Sequence, residues 1–260
     1  MGGATVQGEL WGMRARDWAE VQEGVGAPLF EAVIQETGVG SSTALLDVGC
    51  GSGVFCQMAT QRGAQVSGLD AAGALIEIAR ECMPQGDFRV GEIEELPFAS
   101  QSFNLVTGFN SFQFAANPLK ALQEARRVAR KGTSLAIGVL GKPEDTQARA
   151  YFAAMGTLLP PPPPGAPGPF ALSVDGALEA LVSQAGMQPG KVKQVDCPWT
   201  YPDESTLLRG LLSTGLSVQA MRVVGEAAVQ KSILNALAPF KTGAGGYDIR
   251  NKYRYMLVKT

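Results

Sequence analysis

The sequence places three glycines at every second position directly after a short apolar segment. Residues 45–53 read Leu-Leu-Asp-Val-Gly-Cys-Gly-Ser-Gly, and the glycines are Gly49, Gly51 and Gly53. Glycine lacks a Cβ atom, so the backbone can approach a bound ligand closely. A helix that begins after such a loop points its free N–H groups at the ligand. The pattern predicts a site for a nucleotide-like cofactor.

The spacing of the glycines separates two classes of cofactor site. A dinucleotide fingerprint needs Gly-x-Gly-x-x-Gly or Ala. Counted from Gly49, its third slot holds Val54. A β-branched side chain there would hold the following helix away from a pyrophosphate turn. The spacing therefore disfavours a nucleotide-dependent oxidoreductase, which stays open as a third class of function.

Two acidic positions further along the chain could bind the rest of such a cofactor. Asp70 ends a second apolar segment, where an ionised carboxylate can accept hydrogen bonds from both hydroxyls of a ribose. The alternative is that Asp70 caps the next helix. Glu92 lies in the segment 91–98, Gly-Glu-Ile-Glu-Glu-Leu-Pro-Phe. Metal binding by Glu92, Glu94 and Glu95 is disfavoured, because these acids lack ligand spacing on one face.

Together these motifs resemble those of the class I S-adenosylmethionine-dependent methyltransferases. The resemblance is closest to the methyltransferase type 11 group, which includes the ubiquinone and menaquinone C-methyltransferases. It covers nearly the whole chain and is tightest over residues 43–141. It implies S-adenosyl-L-methionine as cofactor, S-adenosyl-L-homocysteine as its product, and an enzyme that transfers a methyl group.

The resemblance also implies which part of the cofactor each motif binds. The glycine loop would wrap the methionine part, with Asp47 organising the loop and the amino group. Asp70 would bind the ribose, while Glu92 would accept from the adenine amine and Ile93 would pack on the ring. The family more often has Asp than Glu at position 92. The cofactor-binding residues implied are Asp47, Gly49, Cys50, Gly51, Gly53, Asp70, Ala71, Glu92, Ile93, Asn110, Ser111, Phe112 and Trp18.

Residues 109–114 are expected to form the floor of the methyl-donor site. They follow a predicted strand, and ligands in open α/β sheets bind beyond the carboxyl ends of the strands. Contact with the sulfonium end is expected from the backbone of Asn110 and from Phe112, whose ring could offer a cation–π interaction. The alternative is that Phe112 and Phe114 belong only to the core.

An aromatic segment at the N-terminus resembles the short helix that many of these enzymes fold over the cofactor. Trp11 and Trp18 have a spacing that predicts one helical face. We expect them to act as a lid. A proline-rich stretch that includes Pro160–Pro164 predicts a stiff, extended connector, or alternatively the rim of a substrate opening.

Alternating strand and helix signals must position these motifs. Continuous apolar strands separated by helices indicate a parallel sheet covered on both faces, and a last strand near residues 253–259 alternates as an antiparallel strand does. The pattern predicts a helix capped by Asn117, another capped by Ser173, and a long one over 216–238. The predicted strands of the first part are 43–48, 65–69, 87–90, 103–108 and 133–140.

The expected fold class is α/β, a Rossmann-like doubly wound sheet, mostly parallel with one antiparallel C-terminal strand and helices on both faces. Helical lid insertions would add to it. We expect a single methyltransferase domain over residues 1–260. Its core would comprise about 40–141, 171–202 and 246–260, and the lid and substrate segments about 1–39, 142–170 and 203–245.

Composition excludes several classes of function. The formal net charge of −2 gives no general attraction to nucleic acid or to an anionic membrane surface. The four cysteines form no Cys-x-x-Cys pair, which disfavours zinc and favours reduced thiols in a cytoplasmic protein. We expect no metal, no membrane span, no signal peptide, and a monomer or homodimer.

The segments outside the sheet should bind the methyl acceptor. They are rich in Trp, Phe, Leu, Met and Pro, which favours a small apolar or aromatic molecule methylated on an O, N or C atom. The chain contains no histidine, so no general base is identified, although Asp17, Tyr151 and Tyr201 are within reach in principle. A non-catalytic sensor or accessory protein that binds the cofactor is the alternative. The candidate substrate residues are Trp11, Phe114, Tyr151 and Trp199.

Overall fold

The fold is described from a computed structural model. It describes residues 3–161 and 168–260. Of the proline-rich stretch, Pro162, Pro163, Pro164 and Pro167 lie outside the described residues. The role expected for that stretch therefore stays a prediction.

A seven-stranded sheet organises the chain. Its strand order is β3-β2-β1-β4-β5-β9-β6, and β9 runs antiparallel to both of its neighbours while the other pairs are parallel. A separate antiparallel pair, β7 and β8, lies outside it. The expected doubly wound sheet with one antiparallel C-terminal strand is confirmed. The strands are β1 (Ala44–Val48), β2 (Gln65–Asp70), β3 (Asp87–Val90), β4 (Phe103–Phe109), β5 (Ala129–Leu140), β6 (Val192–Asp196), β7 (Trp199–Tyr201), β8 (Tyr247–Ile249) and β9 (Lys252–Lys259).

Helices cover both faces of the sheet because alternate strand residues point to opposite faces. Leu45 of β1 packs in one buried cluster with α3 and α4, whereas Leu46 packs in a second cluster with α6 and α8. The helices are α1 (Gly3–Gly12), α2 (Ala15–Asp17), α3 (Ala27–Thr37), α4 (Val54–Thr60), α5 (Gly73–Cys82), α6 (Pro118–Val128), α7 (Arg149–Leu158), α8 (Ala177–Gln184), α9 (Glu204–Leu212), α10 (Gly215–Val224) and α11 (Glu226–Leu237).

Several predicted helix boundaries can be compared with the structure. The side chain of Asn117 accepts a hydrogen bond from the backbone of Lys120, so the predicted cap of α6 is confirmed. The predicted Ser173 cap is wrong: its hydroxyl donates to the carbonyl of Leu140, and α8 begins later. The long helix predicted over 216–238 is two helices. Gly225, at φ +82°, separates α10 from α11, a backbone conformation that glycine accepts easily.

The two N-terminal tryptophans do not share one helix. Trp11 lies in α1, and Trp18 begins a π-helical turn, Trp18–Gln22, after a break at residues 13–14. Their rings still meet edge to face, with centroids 4.7 Å apart. The predicted single helical face is therefore wrong, although the two rings are in contact. In the part of the chain that is described, no helix is long and apolar enough to cross a membrane.

Candidate cofactor and acceptor site

A cavity of about 410 Å³ opens at the carboxyl ends of β1, β2 and β4. This volume is within the usual range for small-molecule sites, roughly 300–1,000 Å³. One end is bordered by the glycine loop and by residues that follow β2, β3 and β4. The other end is bordered by aromatic side chains from helices and from β7 and β9. We call these the cofactor end and the acceptor end.

Glycine is required in the loop after β1. Gly49 and Gly51 have φ values of +78° and +57°, which L side chains rarely adopt. A Cβ atom on Gly49 would lie 2.4 Å from the Cβ of Ser111, and one on Gly51 would lie 2.9 Å from the carboxylate of Glu23. The backbone N–H of Gly49 donates to the carbonyl of Leu69 at 2.7 Å, which holds the loop against β2. The loop is therefore closely packed on its protein side.

Asp70 connects the glycine loop to the loop after β2. One carboxylate oxygen accepts from the N–H of Gly51 at 2.9 Å, and the other accepts from the N–H of Ala72 at 2.8 Å. Burial raises the pKa of this carboxyl, although both hydrogen bonds oppose the shift. The helix-cap alternative needs correction, because α5 is preceded by Ala72 as its N-cap and no side chain caps it. Asp70 instead fixes the two loops that border the cavity.

Sequence reasoning missed one acidic residue of this site, Glu23. It lies in the 3₁₀ turn Glu23–Gly26, and its carboxylate accepts from the N–H of Ser52 at 2.8 Å, from the Ser52 hydroxyl at 2.7 Å and from the N–H of Val54 at 3.2 Å. Burial raises the pKa of this carboxyl, although these hydrogen bonds favour a lower pKa. No spacing in the sequence marks Glu23, because it reaches the loop only through tertiary packing.

Asp47 is the third buried carboxyl at the loop. Its Oδ1 atom accepts from the hydroxyl of Thr107 at 2.7 Å. Burial raises the pKa of Asp47 to about 7, with smaller contributions from the charges of Glu23 and Asp70. Three carboxyls are thus gathered in a desolvated volume. A cationic ligand group would stabilise their ionised forms.

Glu92 and the lid meet at the far side of the cofactor end. The Glu92 carboxylate accepts from the N–H of Ala4 at 2.9 Å, at the start of α1. Trp11 lies between Trp18 and Phe114, with ring centroids 4.7 Å and 5.7 Å away. All of them border the cavity. The aromatic N-terminal segment therefore covers the position at which the adenine was expected.

Unpartnered polar atoms test whether the residues present fit a polar cofactor. The Nε1 atom of Trp18, the hydroxyl of Ser111 and the Oε1 atom of Gln113 are buried, and each lacks a hydrogen-bond partner among the described residues. All three residues border the cavity. Buried polar groups without partners are costly, so these atoms indicate a ligand that supplies both donors and acceptors. The glycine loop, the carboxyls and these atoms together fit S-adenosylmethionine.

The structure brings most of the predicted site residues to this one cavity. Two of the predicted cofactor residues do not border it. Gly53 faces Met83 and Ala79, and Phe112 is buried in the cluster with α6. A cation–π contact from Phe112 is therefore not available in this geometry. Those at the cavity are Asp47, Gly49, Cys50, Gly51, Asp70, Ala71, Glu92, Ile93, Asn110, Ser111 and Trp18, with the predicted substrate residues Trp11, Phe114, Tyr151 and Trp199.

Phe109 takes the place at the cavity that was expected for Phe112. Asn110 adopts φ +50°, and the 3₁₀ turn Phe112–Phe114 follows it. This turn directs Phe112 into the core. Phe109 instead borders the cavity and packs against Phe30, with ring centroids 4.9 Å apart.

The acceptor end is an aromatic chamber. The Tyr151 ring packs edge to face against Phe152, and its hydroxyl lies 2.5 Å from the hydroxyl of Thr214 and 2.8 Å from that of Ser217. Trp199 lies on the far side of Phe152, with centroids 6.4 Å apart. The hydrogen bonds tie α7 to α10 and hold the chamber wall in place.

The charges around the cavity have one sign. Four acids border it and, among the described residues, no lysine or arginine does. The acids are Glu23, Asp47, Asp70 and Glu92. Glu92 and Glu94 accept from different backbone N–H groups, those of Ala4 and Asn117. Within the described ranges, no group of three or more His, Cys, Asp or Glu side chains could hold a metal ion.

Comparisons with known proteins agree with this geometry. Residues 46–137 match the family described as "Methyltransferase domain". A malonyl-[acyl-carrier protein] O-methyltransferase of Erwinia pyrifoliae is 29% identical over 79% of this chain and 74% of its own length. A ubiquinone biosynthesis O-methyltransferase of Hahella chejuensis is 33% identical over 38% of this chain and 43% of its own. Apart from the Erwinia protein, the chain spans less than half the length of the curated relatives that it matches.

A solved structure supports the fold. A SAM-dependent methyltransferase from Aquifex aeolicus superposes with a TM-score of 0.53 at 19% identity, over 70% of this chain and 92% of that one. Identity this low speaks for the fold alone. The glycine loop and the acids at positions 47, 70 and 92 lie within the residues that the family model matches. Over residues 46–137 the chain therefore matches a methyltransferase domain.

Proposed function

We propose that this protein transfers a methyl group from S-adenosylmethionine to an O, N or C atom of a small apolar or aromatic molecule. One observation carries the proposal: a single cavity joins the glycine loop and its carboxyls to a chamber walled by aromatic rings. The first part suits a polar, cationic cofactor. The second suits an apolar acceptor.

The side chains would act by binding, orienting and excluding water. When bound, S-adenosylmethionine supplies a methyl group on a sulfonium centre, and the thioether that leaves needs no proton. Asp47 would hold the methionine end, Asp70 the ribose, and Glu92 with Ile93 the adenine. The aromatic chamber would bind the acceptor and exclude water. Exclusion of water favours the transfer, because the positive charge of the sulfonium is dispersed in the transition state. Alignment of two reactants can lower the activation free energy by up to about 7–11 kcal/mol in ideal systems.

No side chain is assigned as a general base. Asp17 is held in ion pairs with Arg14 and Arg209. Burial raises the pKa of Tyr151 to about 12, and it also raises the pKa of Tyr201, which donates its hydroxyl to Gln22. Neither tyrosine is prepared to take a proton near neutral pH. We propose that the acceptor is nucleophilic without a protein base, or that it loses its proton to water.

The two named relatives suggest different acceptors. Malonyl-acyl-carrier protein presents a carboxylate, and the described lining of this cavity offers no lysine or arginine to balance it. A ring-bearing acceptor, of the kind that the ubiquinone relative's name implies, suits the aromatic chamber better. We therefore favour a ring compound over an acyl carboxylate.

Calorimetric titration tests the cofactor assignment directly. S-adenosylmethionine and S-adenosylhomocysteine should bind the wild-type protein. Asp70→Asn should weaken both by about tenfold or more, because an amide would turn a donor toward a backbone N–H that now donates to a carboxylate. Asp196→Asn, at an exposed residue that does not border the cavity, is the matched control and should bind normally. Unchanged titration of Asp70→Asn would contradict the assignment.

Product analysis separates the proposal from its alternatives. Incubation with S-adenosylmethionine carrying a labelled methyl group and a panel of small ring compounds should give a labelled product. A cofactor-binding sensor would bind and yield no product from any compound. An oxidoreductase would be stabilised against heat by a nicotinamide dinucleotide and not by S-adenosylhomocysteine.

A further inference from the structure

Tyr253 brings a polar group to the acceptor end. It lies on β9 opposite Leu140, the last residue of β5, which places it at the same sheet edge as the glycine loop. Its hydroxyl oxygen accepts a hydrogen bond from the Nε1 atom of Trp199 at 3.2 Å. Both residues border the cavity and both are buried. The indole N–H can only donate, so the Tyr253 hydroxyl can still donate a hydrogen bond through its own proton.

The other tyrosines of the chain show that this proton is unusual. The hydroxyls of Tyr201, Tyr247 and Tyr255 donate to Gln22, Glu204 and Glu36, and that of Tyr151 lies between two hydroxyls. Within the described part of the chain, Tyr253 is the tyrosine whose proton has no protein acceptor. A buried donor beside a cavity is a recognition point for a ligand atom.

The chemistry of the phenol keeps it a donor. Burial raises the pKa of Tyr253, so its proton stays in place across the physiological range. The bond received from Trp199 polarises the hydroxyl and strengthens its own donation. Uncharged side chains lie next to it at the cavity, because Leu140 is opposite Tyr253 in the sheet and Phe152 packs against Trp199. A charged acceptor would lose its hydration here without gaining a counter-charge.

We propose that the acceptor is an uncharged aromatic compound bearing an oxygen or nitrogen atom that accepts a hydrogen bond from the Tyr253 hydroxyl, with Trp199 holding that hydroxyl in position. This inference rests on the proposed function, because it describes the second substrate of the same cavity. Tyr253 is then a specificity-determining residue. Anionic aromatic compounds are rejected, because the acids of the cavity repel them.

A set of isosteric probes tests the inference. Quinoline, naphthalene and 2-naphthoate share one bicyclic shape and differ in offering a ring nitrogen acceptor, no acceptor, or a negative charge. Their dissociation constants would be measured at pH 8 by ligand-observed magnetic resonance, with the protein saturated by S-adenosylhomocysteine. We expect quinoline to bind about threefold to tenfold more tightly than naphthalene, as one neutral hydrogen bond allows, and 2-naphthoate to bind most weakly.

Three variants assign the difference to Tyr253. Tyr253→Phe should bind quinoline and naphthalene equally, while naphthalene binding stays as in the wild type. Tyr255→Phe is the control, because it removes a hydroxyl from the same strand at a residue that bonds Glu36 and does not border the cavity. Trp199→Phe keeps the Tyr253 hydroxyl and should reduce the preference only in part. Folding of each variant is checked by its heat stabilisation with S-adenosylhomocysteine.

The outcomes are distinguishable. Loss of the quinoline preference in Tyr253→Phe alone supports the inference. A preference that survives in Tyr253→Phe, tight binding of 2-naphthoate, or no binding of either neutral probe overturns it. If the wild-type protein binds quinoline but neither S-adenosylmethionine nor S-adenosylhomocysteine, the proposed function fails separately from the recognition by Tyr253. Binding would then be measured with the protein alone.

Discussion

The two ends of the cavity are built in different ways. The cofactor end consists of the loops after β1, β2, β3 and β4 and of buried carboxyls, which accept hydrogen bonds from backbone N–H groups and from the hydroxyls of Ser52 and Thr107. The acceptor end consists of rings contributed by α3, α7, β7 and β9, which are far apart in sequence. The comparison teaches that a short local pattern specifies most of the first end, to which tertiary packing adds Glu23, whereas only the packing of the whole chain specifies the second.

The largest effect is expected from a side chain in the glycine loop. In Gly49→Val the new atoms would meet Ser111, and φ +78° would be strained, so binding of S-adenosylhomocysteine should fall at least about a hundredfold. Calorimetric titration measures it. Gly243→Val, at a glycine with open space around its Cβ position, should bind normally. If both variants bind alike, the loop does not define the cofactor end.

Glu23 should matter to the cofactor end although it lies outside the glycine motif. Glu23→Gln leaves one acceptor oxygen where the carboxylate now serves Ser52 and Val54, so cofactor affinity should fall about tenfold or more. Hydrogen exchange over residues 49–54 should become faster. Glu20→Gln, at an exposed acid nearby, should change neither measurement. Normal exchange in Glu23→Gln would show that the loop holds its shape without this carboxylate.

The carboxyls should make the cofactor end pH-sensitive. The pKa of Asp47 is about 7 in the folded protein against 3.8 for an unperturbed group, so the folded state without cofactor holds a proton that the unfolded state releases. Stability from this group should therefore rise as pH falls from about 7 toward 4, and be lost above 7. The affinity for S-adenosylmethionine should rise over the same range with pH, because its sulfonium favours ionised carboxyls.

This pH dependence can be assigned to its source. It should be steeper for S-adenosylmethionine than for S-adenosylhomocysteine, which lacks the sulfonium charge. Asp47→Asn should flatten both the stability profile and the binding profile, while Glu23, Asp70 and Cys50 remain as the other titratable groups nearby. Equal slopes for the two ligands would mean that the sulfonium charge does not act on Asp47, since both ligands carry the methionine ammonium group. Melting curves and titrations at several pH values provide the data.

The smallest effect on cofactor binding is expected at the acceptor end. Tyr151→Phe removes a hydroxyl that meets Thr214 and Ser217 in the interior, and it should lower the free energy of unfolding by about 1–3 kcal/mol. Binding of S-adenosylhomocysteine to the folded variant should stay unchanged. Denaturant unfolding and titration measure the two quantities. A large loss of cofactor affinity would mean that the two ends are coupled.

The fold and the glycine loop were predictable because their signals are local. Apolar strands, glycines at positive φ and an acid at the end of β2 each follow from neighbours in the sequence. Glu23 was not predictable, because nothing in its own segment shows that it will be buried under the loop. The prediction placed Phe112 at the cavity instead of Phe109 for a different reason. A single left-handed residue, Asn110, decides which ring faces the cavity, and apolar patterning cannot reveal that turn.

Helix boundaries show the same division. Asn117 was identified correctly because an N-cap followed by proline is a local signal. The break at Gly225 was not, since an isolated glycine within an apolar stripe is compatible with a continuous helix. The single helical face expected for the two tryptophans was wrong because the helix breaks at residues 13–14, and their rings are nevertheless in contact.

The bonds from Glu23 to Ser52 and Val54 have a consequence for how this chain can be recombined. They cross from residue 23 into the segment 46–137 that matches the methyltransferase family. That segment alone therefore lacks one group that holds its glycine loop, because the Glu23 carboxylate comes from outside it. A chimera that transplants it behind a foreign N-terminal region would need a carboxylate delivered to the same place.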